Sequence, residues 1–165
     1  MVTPNQVRQW LNVPVRVVPC NQSQLKLMKL YPSAQNVVDS LPDYRERIDE
    51  LGKAGLGWAC IGDGRILAMF GVAPYWDGCA EAWLMVDTYG ISKRRVQLTK
   101  GSRRFFNHIG PALGLRRLQI MVSVAHREAV SWAHLLGFEY EATLKRYGVD
   151  GSDHLVFARF YDKHA

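Results

Sequence analysis

The spacing of apolar positions changes along the chain, and each change marks a change of element. VPVRVV at 13–18 is a short valine-rich run that Pro19 ends, which predicts a strand. Over 22–54 the apolar residues recur at helical spacing, in pieces. QSQLKLMKLY stops at Pro32, Ser33 is placed to cap AQNVVDSL, and PDYRERIDELGKAG opens on a proline suited to a first helical turn and closes in glycines. The pattern then shifts to short apolar blocks. GWACIGDGRILAMFGVA is two such blocks around Gly62-Asp63-Gly64, a hairpin signal because tight turns need positive φ. A third strand, roughly 79–87, follows the Asp77-Gly78 turn.

Helical spacing returns at 92–109, with Ser92 as the N-cap and Leu98, Ser102, Phe105 and Ile109 on one face. RRLQIMVSV, 116–124, predicts a strand, 126–136 a helix, and 138–147 with 153–161 two last strands around DGSD. Gly137 ends the helix of 126–136, because a residue without a Cβ takes the left-handed conformation cheaply, and Phe138 then folds back onto that helix. The order predicts an α+β fold: about seven strands in one mixed sheet, flanked by helices, in a single domain over 1–165.

Composition narrows the function. Hydrophobic residues make up 48% of the 165 and charged residues 22%, which is the balance of a globular chain with a real core. No apolar run approaches the roughly 20 residues that cross a bilayer. MVTPNQVRQWLNVPV lacks a basic stretch followed by an apolar core, so the expectation is a cytoplasmic, non-secreted protein. Cys20, Cys60 and Cys79 lack metal-ligand spacing, and buried thiols are expected there. There is no HExxH, P-loop or nucleophile elbow, which disfavours metalloenzymes, nucleotidases and serine hydrolases; no metal is expected.

Charge is the strongest compositional signal. The net charge is +6, and SKRRVQLTKGSRR concentrates Lys93, Arg94, Arg95, Lys100, Arg103 and Arg104 without an acid. Cations at the start of a helix oppose its dipole unless an anion is bound there. The run therefore fits a bound phosphate ligand, with a basic contact surface or a plain solvated face as the alternatives.

The element order and AHREAVSWAHLLGF at 125–138 resemble the GNAT superfamily of acyl-CoA-dependent N-acetyltransferases. Ala129 and Gly137-Phe138 match that family's helix motif, and His126 stands where an Asn is usual. LLGFEYEATLKRYGVDGSDHLVFARF also resembles GNAT-like proteins encoded by tailed bacteriophages.

The resemblance implies acetyl-CoA, or another acyl-CoA, as cofactor, with its pantetheine arm between splayed fourth and fifth strands. Leu84, Met85 and Val86 then supply main-chain groups to the arm or to the oxyanion. Ser92, Lys93, Arg94, Arg95 and Val96 form the phosphate loop, and His126 meets the arm. The family's Arg/Gln-x-x-Gly-x-Gly/Ala signature is absent: Ser92, Arg94 and Val96 occupy the glycine positions. Glu81 is the expected general base and Asp87 a second carboxylate, although Asp87 also suits the turn before the helix. Ala133 stands where the family often has its acidic Tyr. The implied partner is an amine of a small molecule or a host protein, with nucleic acid and membrane not expected. The alternative is a GNAT-like protein that has lost chemistry and binds a host or virion protein.

Overall fold

Asp63 and Gly64 both take positive φ, 54° and 71°, and close a two-residue turn between β2 (Gly57–Gly62) and β3 (Arg65–Trp76). Asp77-Gly78, with Gly78 at φ 79°, likewise joins β3 to β4 (Cys79–Val86). These are the hairpins expected from sequence, and they fix an antiparallel meander in the computed structural model, which describes residues 1–161.

Along the described residues thirteen elements follow one another: α1 (Pro4–Leu11), β1 (Arg16–Pro19), α2 (Gln22–Leu25), α3 (Pro32–Ser40), α4 (Tyr44–Lys53), β2, β3, β4, α5 (Thr88–Ala112), β5 (Arg117–Ser123), α6 (Arg127–Leu135), β6 (Glu139–Leu144) and β7 (His154–Phe160). The strands form one mixed sheet ordered β1-β2-β3-β4-β5-β7-β6, so the seven-stranded α+β expectation holds. β4 and β5 are the parallel pair, and α5 is the crossover between them.

Alternation along the strands sorts the core into two layers. Ala80, Ala82 and Leu84 of β4 face α1, α5 and α6, together with Trp58, Phe70, Phe105, Leu118 and Phe138. Trp83 and Met85 face α2, α3 and α4, with Ile48, Ala59 and Met69. The Trp83 indole lies over Gly71 and Gly57 on the two neighbouring strands, where a Cβ at Gly71 would come 2.8 Å from its Nε1. That nitrogen is buried without a hydrogen-bond partner among the described residues.

Three boundaries differ from the sequence reading. α1 was not foreseen; Thr3 and Gln6 form a capping box that starts it. Ser33 does not cap α3, because Pro32 is its first residue and Tyr31 its cap. Ser92 does not cap α5 either: Asp87 does so five residues earlier, and 88–92 are already helical. The helix-ending corner is as expected. Gly137 has φ 83°, the Phe138 N–H donates to the Ala133 carbonyl at 3.1 Å, and Phe138 packs edge-on against Phe106.

Candidate active site

The parallel ladder between β4 and β5 is short. Its rungs are Cys79–Arg117, Ala80–Leu118 and Glu81–Gln119, and none follows. β4 nevertheless continues to Val86, paired throughout with β3, and β5 continues to Ser123, paired throughout with β7. Beyond Glu81 and Gln119 the two strands therefore part, leaving 82–86 and 120–123 as facing edges without a ladder between them. A strand edge presents alternate N–H and C=O groups, ready to bind an extended polar chain.

Which groups face the gap follows from register. The Asp87 N–H donates to Leu67 on β3, so by alternation the main chain of Met85 also points to β3, while Leu84 and Val86 point into the wedge. Of the three candidates, Leu84 and Val86 stand at the opening and Met85 does not. Leu84, Ile120, Val122, Val130, Trp132 and Phe106 remain only partly buried on the α5–α6 side, as the walls of an open groove would.

Glu81 sits at the apex of this wedge, on the face that carries Trp83 and Met85. The Tyr75 hydroxyl donates to its Oε2. Burial, and then the hydrogen bond and charge of Glu81, hold the Tyr75 phenol far above its usual range. Burial pushes the Tyr44 phenol up to about 12, with the Glu81 charge the next cause. Tyr147 is raised for the same two reasons, in the same order. The Glu81 charge thus acts on three phenols, from α4, β3 and the β6–β7 link, and the one on β3 touches it.

Asp87 plays a different part. It is 1% exposed; its Oδ2 accepts the Lys29 N–H at 2.7 Å and its Oδ1 the Tyr89 N–H at 2.9 Å. Both oxygens accept from main-chain donors, so Asp87 caps α5 and anchors the α2–α3 link. Thr88 N–H donates to the Lys29 carbonyl at 3.0 Å, and Ser33 Oγ lies 2.7 Å from His126 Nε2. The α2–α3 link and the first turn of α3 therefore bridge the end of β4 to the start of α6, across the open end of the wedge. His126 is the N-cap residue of α6, but its ring is spent on Ser33 and makes no cap bond.

The basic segment begins one turn into α5, and the helix breaks within it: Arg94 has φ −127° and ψ 24°. Its guanidinium is bound to Asp63, Nε to Oδ2 at 2.9 Å and Nη2 to Oδ1 at 2.6 Å, and its Nη1 donates to Gln97 at 2.7 Å. The Arg94 guanidinium holds the Asp63 carboxyl below the usual carboxylate range. Ser92, Lys93, Arg95 and Val96 are exposed around the kink, and Val96 is 65% exposed. So the segment divides into one arginine that is engaged and two cations, Lys93 and Arg95, open to solvent.

Two features bear on access. The Trp132 indole N–H of α6 donates to Thr99 Oγ1 of α5 at 3.0 Å and ties the two helices together. A mainly apolar cavity of about 80 Å³, lined by Leu11, Val15, Leu67, Leu98 and Phe105, lies between α5 and the sheet and does not reach Glu81. Ala133 is 1% exposed in the core, so no polar side chain of α6 occupies that position. Sequence reasoning missed Tyr75 and Asp63, whose contacts cross the β3–β4 hairpin in one case and join the β2–β3 turn to α5 in the other.

This architecture has solved counterparts. The GNAT-family acetyltransferase from Bacillus anthracis matches with TM-score 0.67 and 12% identity, over 90% of this chain and 95% of that one. The fold is the GNAT fold. Ard1 from Thermoplasma volcanium matches with TM-score 0.68 and 18% identity, over 92% of this chain and 100% of that one. The microcin C7 self-immunity acetyltransferase MccE, solved with acetyl-CoA and AMP, matches with TM-score 0.67 and 12% identity, over 92% of this chain and 94% of that one. No family model matches the chain, and no curated protein matches it significantly. Among the described residues no cluster of His, Cys, Asp and Glu is arranged to hold a metal ion, and no helix is long and apolar enough to cross a membrane.

Proposed function

We propose that this GNAT-fold protein is an acyl-CoA-dependent N-acetyltransferase. The observation that carries the reading is the parting of β4 and β5 after Glu81 and Gln119. The edges it leaves fit the amide-bearing arm of CoA, with Leu84 and Val86 offering main-chain partners. The break at Arg94 starts a second helical segment beside Lys93 and Arg95, and that start fits the diphosphate. Glu81 takes the proton from the acceptor ammonium; the freed amine attacks the thioester carbonyl, and a main-chain N–H of the opened edge receives the oxyanion. Bound acetyl-CoA supplies the activated acyl group. The acceptor is an amine of a small molecule or a protein, and the phage-like tail sequence favours a phage-encoded protein acting inside its host.

Titration of acetyl-CoA by calorimetry tests this reading: saturable binding that CoA competes away supports it, and no heat with either ligand refutes it. Two observations favour a second reading, a GNAT scaffold that works by binding a host or virion protein. Arg94 is committed to Asp63, and α5 begins on a buried carboxylate where a phosphate would otherwise sit. In that case purified protein free of CoA retains its partner.

A further inference from the structure

β3 carries a bulge opposite β4: Pro74 pairs with Ala80 and Trp76 with Cys79, so Tyr75 is the extra residue between two adjacent rungs. A bulge costs ladder bonds and re-aims a side chain, and it persists where that side chain has work to do. Here the work is visible. The Tyr75 phenol reaches the Glu81 carboxylate and donates to Oε2. Among the described residues Glu81 has no other hydrogen-bond donor, so Oε1 is left over. Glu81 is the last rung before the strands part, which places the pair at the apex of the wedge.

We infer that Tyr75 is a positioning residue: its phenol, aimed by the bulge, fixes the Glu81 carboxylate in one orientation and leaves the second oxygen for the acceptor amine. The inference rests on Glu81 being the base of the proposed transfer. In that step the N–H bond of the ammonium breaks and an O–H bond forms on Glu81 Oε1. The nitrogen lone pair then attacks the thioester carbonyl, the C–S bond breaks, and CoA leaves as thiolate. The thiolate is protonated by water, the nitrogen gives its second proton to water, and Glu81 returns its own proton to water before the next turnover. Tyr75 keeps its proton throughout. An unanchored glutamate samples several rotamers, and the phenol removes that freedom before the amine arrives.

The test is a double-mutant cycle on thiol release from acetyl-CoA, with a lysine-containing peptide of free N-terminus as the acceptor. Glu81→Gln is expected to lower kcat by about 100-fold or more, and Tyr75→Phe by about tenfold, with the acetyl-CoA Kd unchanged in both. Because Tyr75 acts through Glu81, the double variant is no slower than Glu81→Gln alone. Thermal melts of Tyr75→Phe show that it folds, and ultraviolet titration supplies a readout independent of turnover: the phenols that ionise late in the wild type ionise earlier in Glu81→Gln, and the latest of them is missing from Tyr75→Phe. Multiplying effects, or an unchanged kcat in Tyr75→Phe, overturn the inference and leave the transferase reading standing. A wild type that binds acetyl-CoA and acetylates neither amine of the peptide overturns the role of both residues, whatever the titration shows.

Discussion

Arg94 and Asp63 clamp two distant pieces of chain together: a bidentate guanidinium–carboxylate pair joins the kink of α5 to the turn of the β2–β3 hairpin. Asp63 occupies a left-handed turn position and presents its carboxylate to the one residue of α5 with non-helical dihedrals. The clamp sets where the second segment of α5 begins.

The clamp divides labour within the basic segment. Arg95→Ala is expected to raise the acetyl-CoA Kd about tenfold, the worth of one charge-assisted contact. Arg94→Ala acts through the kink and lowers the melting temperature as well, whereas Arg95→Ala leaves it unchanged. Calorimetry and melts of both variants check the split; equal loss of binding with no change in stability for Arg94→Ala contradicts it.

The same pair predicts a pH dependence. Asp63 is depressed in the folded state by the Arg94 hydrogen bonds first and by the nearby charge after burial is offset. A depressed carboxylate stabilises the fold above its unfolded pKa of about 4, and that stabilisation is lost as the pH falls through the lower folded value. The difference in melting temperature between wild type and Arg94→Ala should therefore be full at pH 7 and shrink below about pH 4. A difference that grows on acidification is the contrary result.

Asp87 should matter for stability and not for chemistry. Its two oxygens satisfy Lys29 and Tyr89 N–H groups in a buried site, so Asp87→Ala leaves both unpaired and is expected to cost about 2–4 kcal/mol. Asp87→Asn keeps one acceptor oxygen and costs less. Denaturant melts give the stabilities; a folded Asp87→Asn protein whose kcat falls as far as that of Glu81→Gln would return Asp87 to the chemistry.

Packing predictions concern two glycines. A Cβ at Gly71 would lie 2.3 Å from the Leu56 carbonyl oxygen and 2.9 Å from Gly57 Cα, both main chain, so neighbouring side chains cannot relieve it. Gly71→Ala is expected to destabilise by about 2–3 kcal/mol through overpacking. Gly137→Ala has only the Arg159 side chain nearby, and its cost of about 1–2 kcal/mol comes from holding an L-residue at φ 83°. Chemical denaturation of the two variants compares clash with backbone strain.

What the sequence disclosed was whatever local chemistry determines. Asp63, Gly64, Gly78 and Gly137 take positive φ, and each turn or corner stands where its residue type demands. The seven strands and the order of elements after α1 followed from these together with the apolar period. The start of α5 did not: Ser92 is a good cap by residue type, but Asp87 wins because Lys29, 58 residues away, gives its carboxylate a second donor. Arg94 carries a charge that reads as free, and only the folded hairpin shows the carboxylate it serves. Tyr75 was unreadable for a similar reason, since a bulge is a matter of pairing between strands and leaves no periodic mark. Met85 looked equivalent to Leu84 and Val86 until register showed which main-chain groups turn to the gap.

All the functional claims depend on the wedge between residues 82–86 and 120–123. A crystal structure of the protein grown with acetyl-CoA tests it most directly. The account predicts ligand density running between those two edges, with main-chain hydrogen bonds from Leu84 or Val86, the thioester near Glu81 and the diphosphate beside Lys93 and Arg95. Strands 82–86 and 120–123 hydrogen-bonded to each other, with acetyl-CoA absent or bound elsewhere, would contradict it.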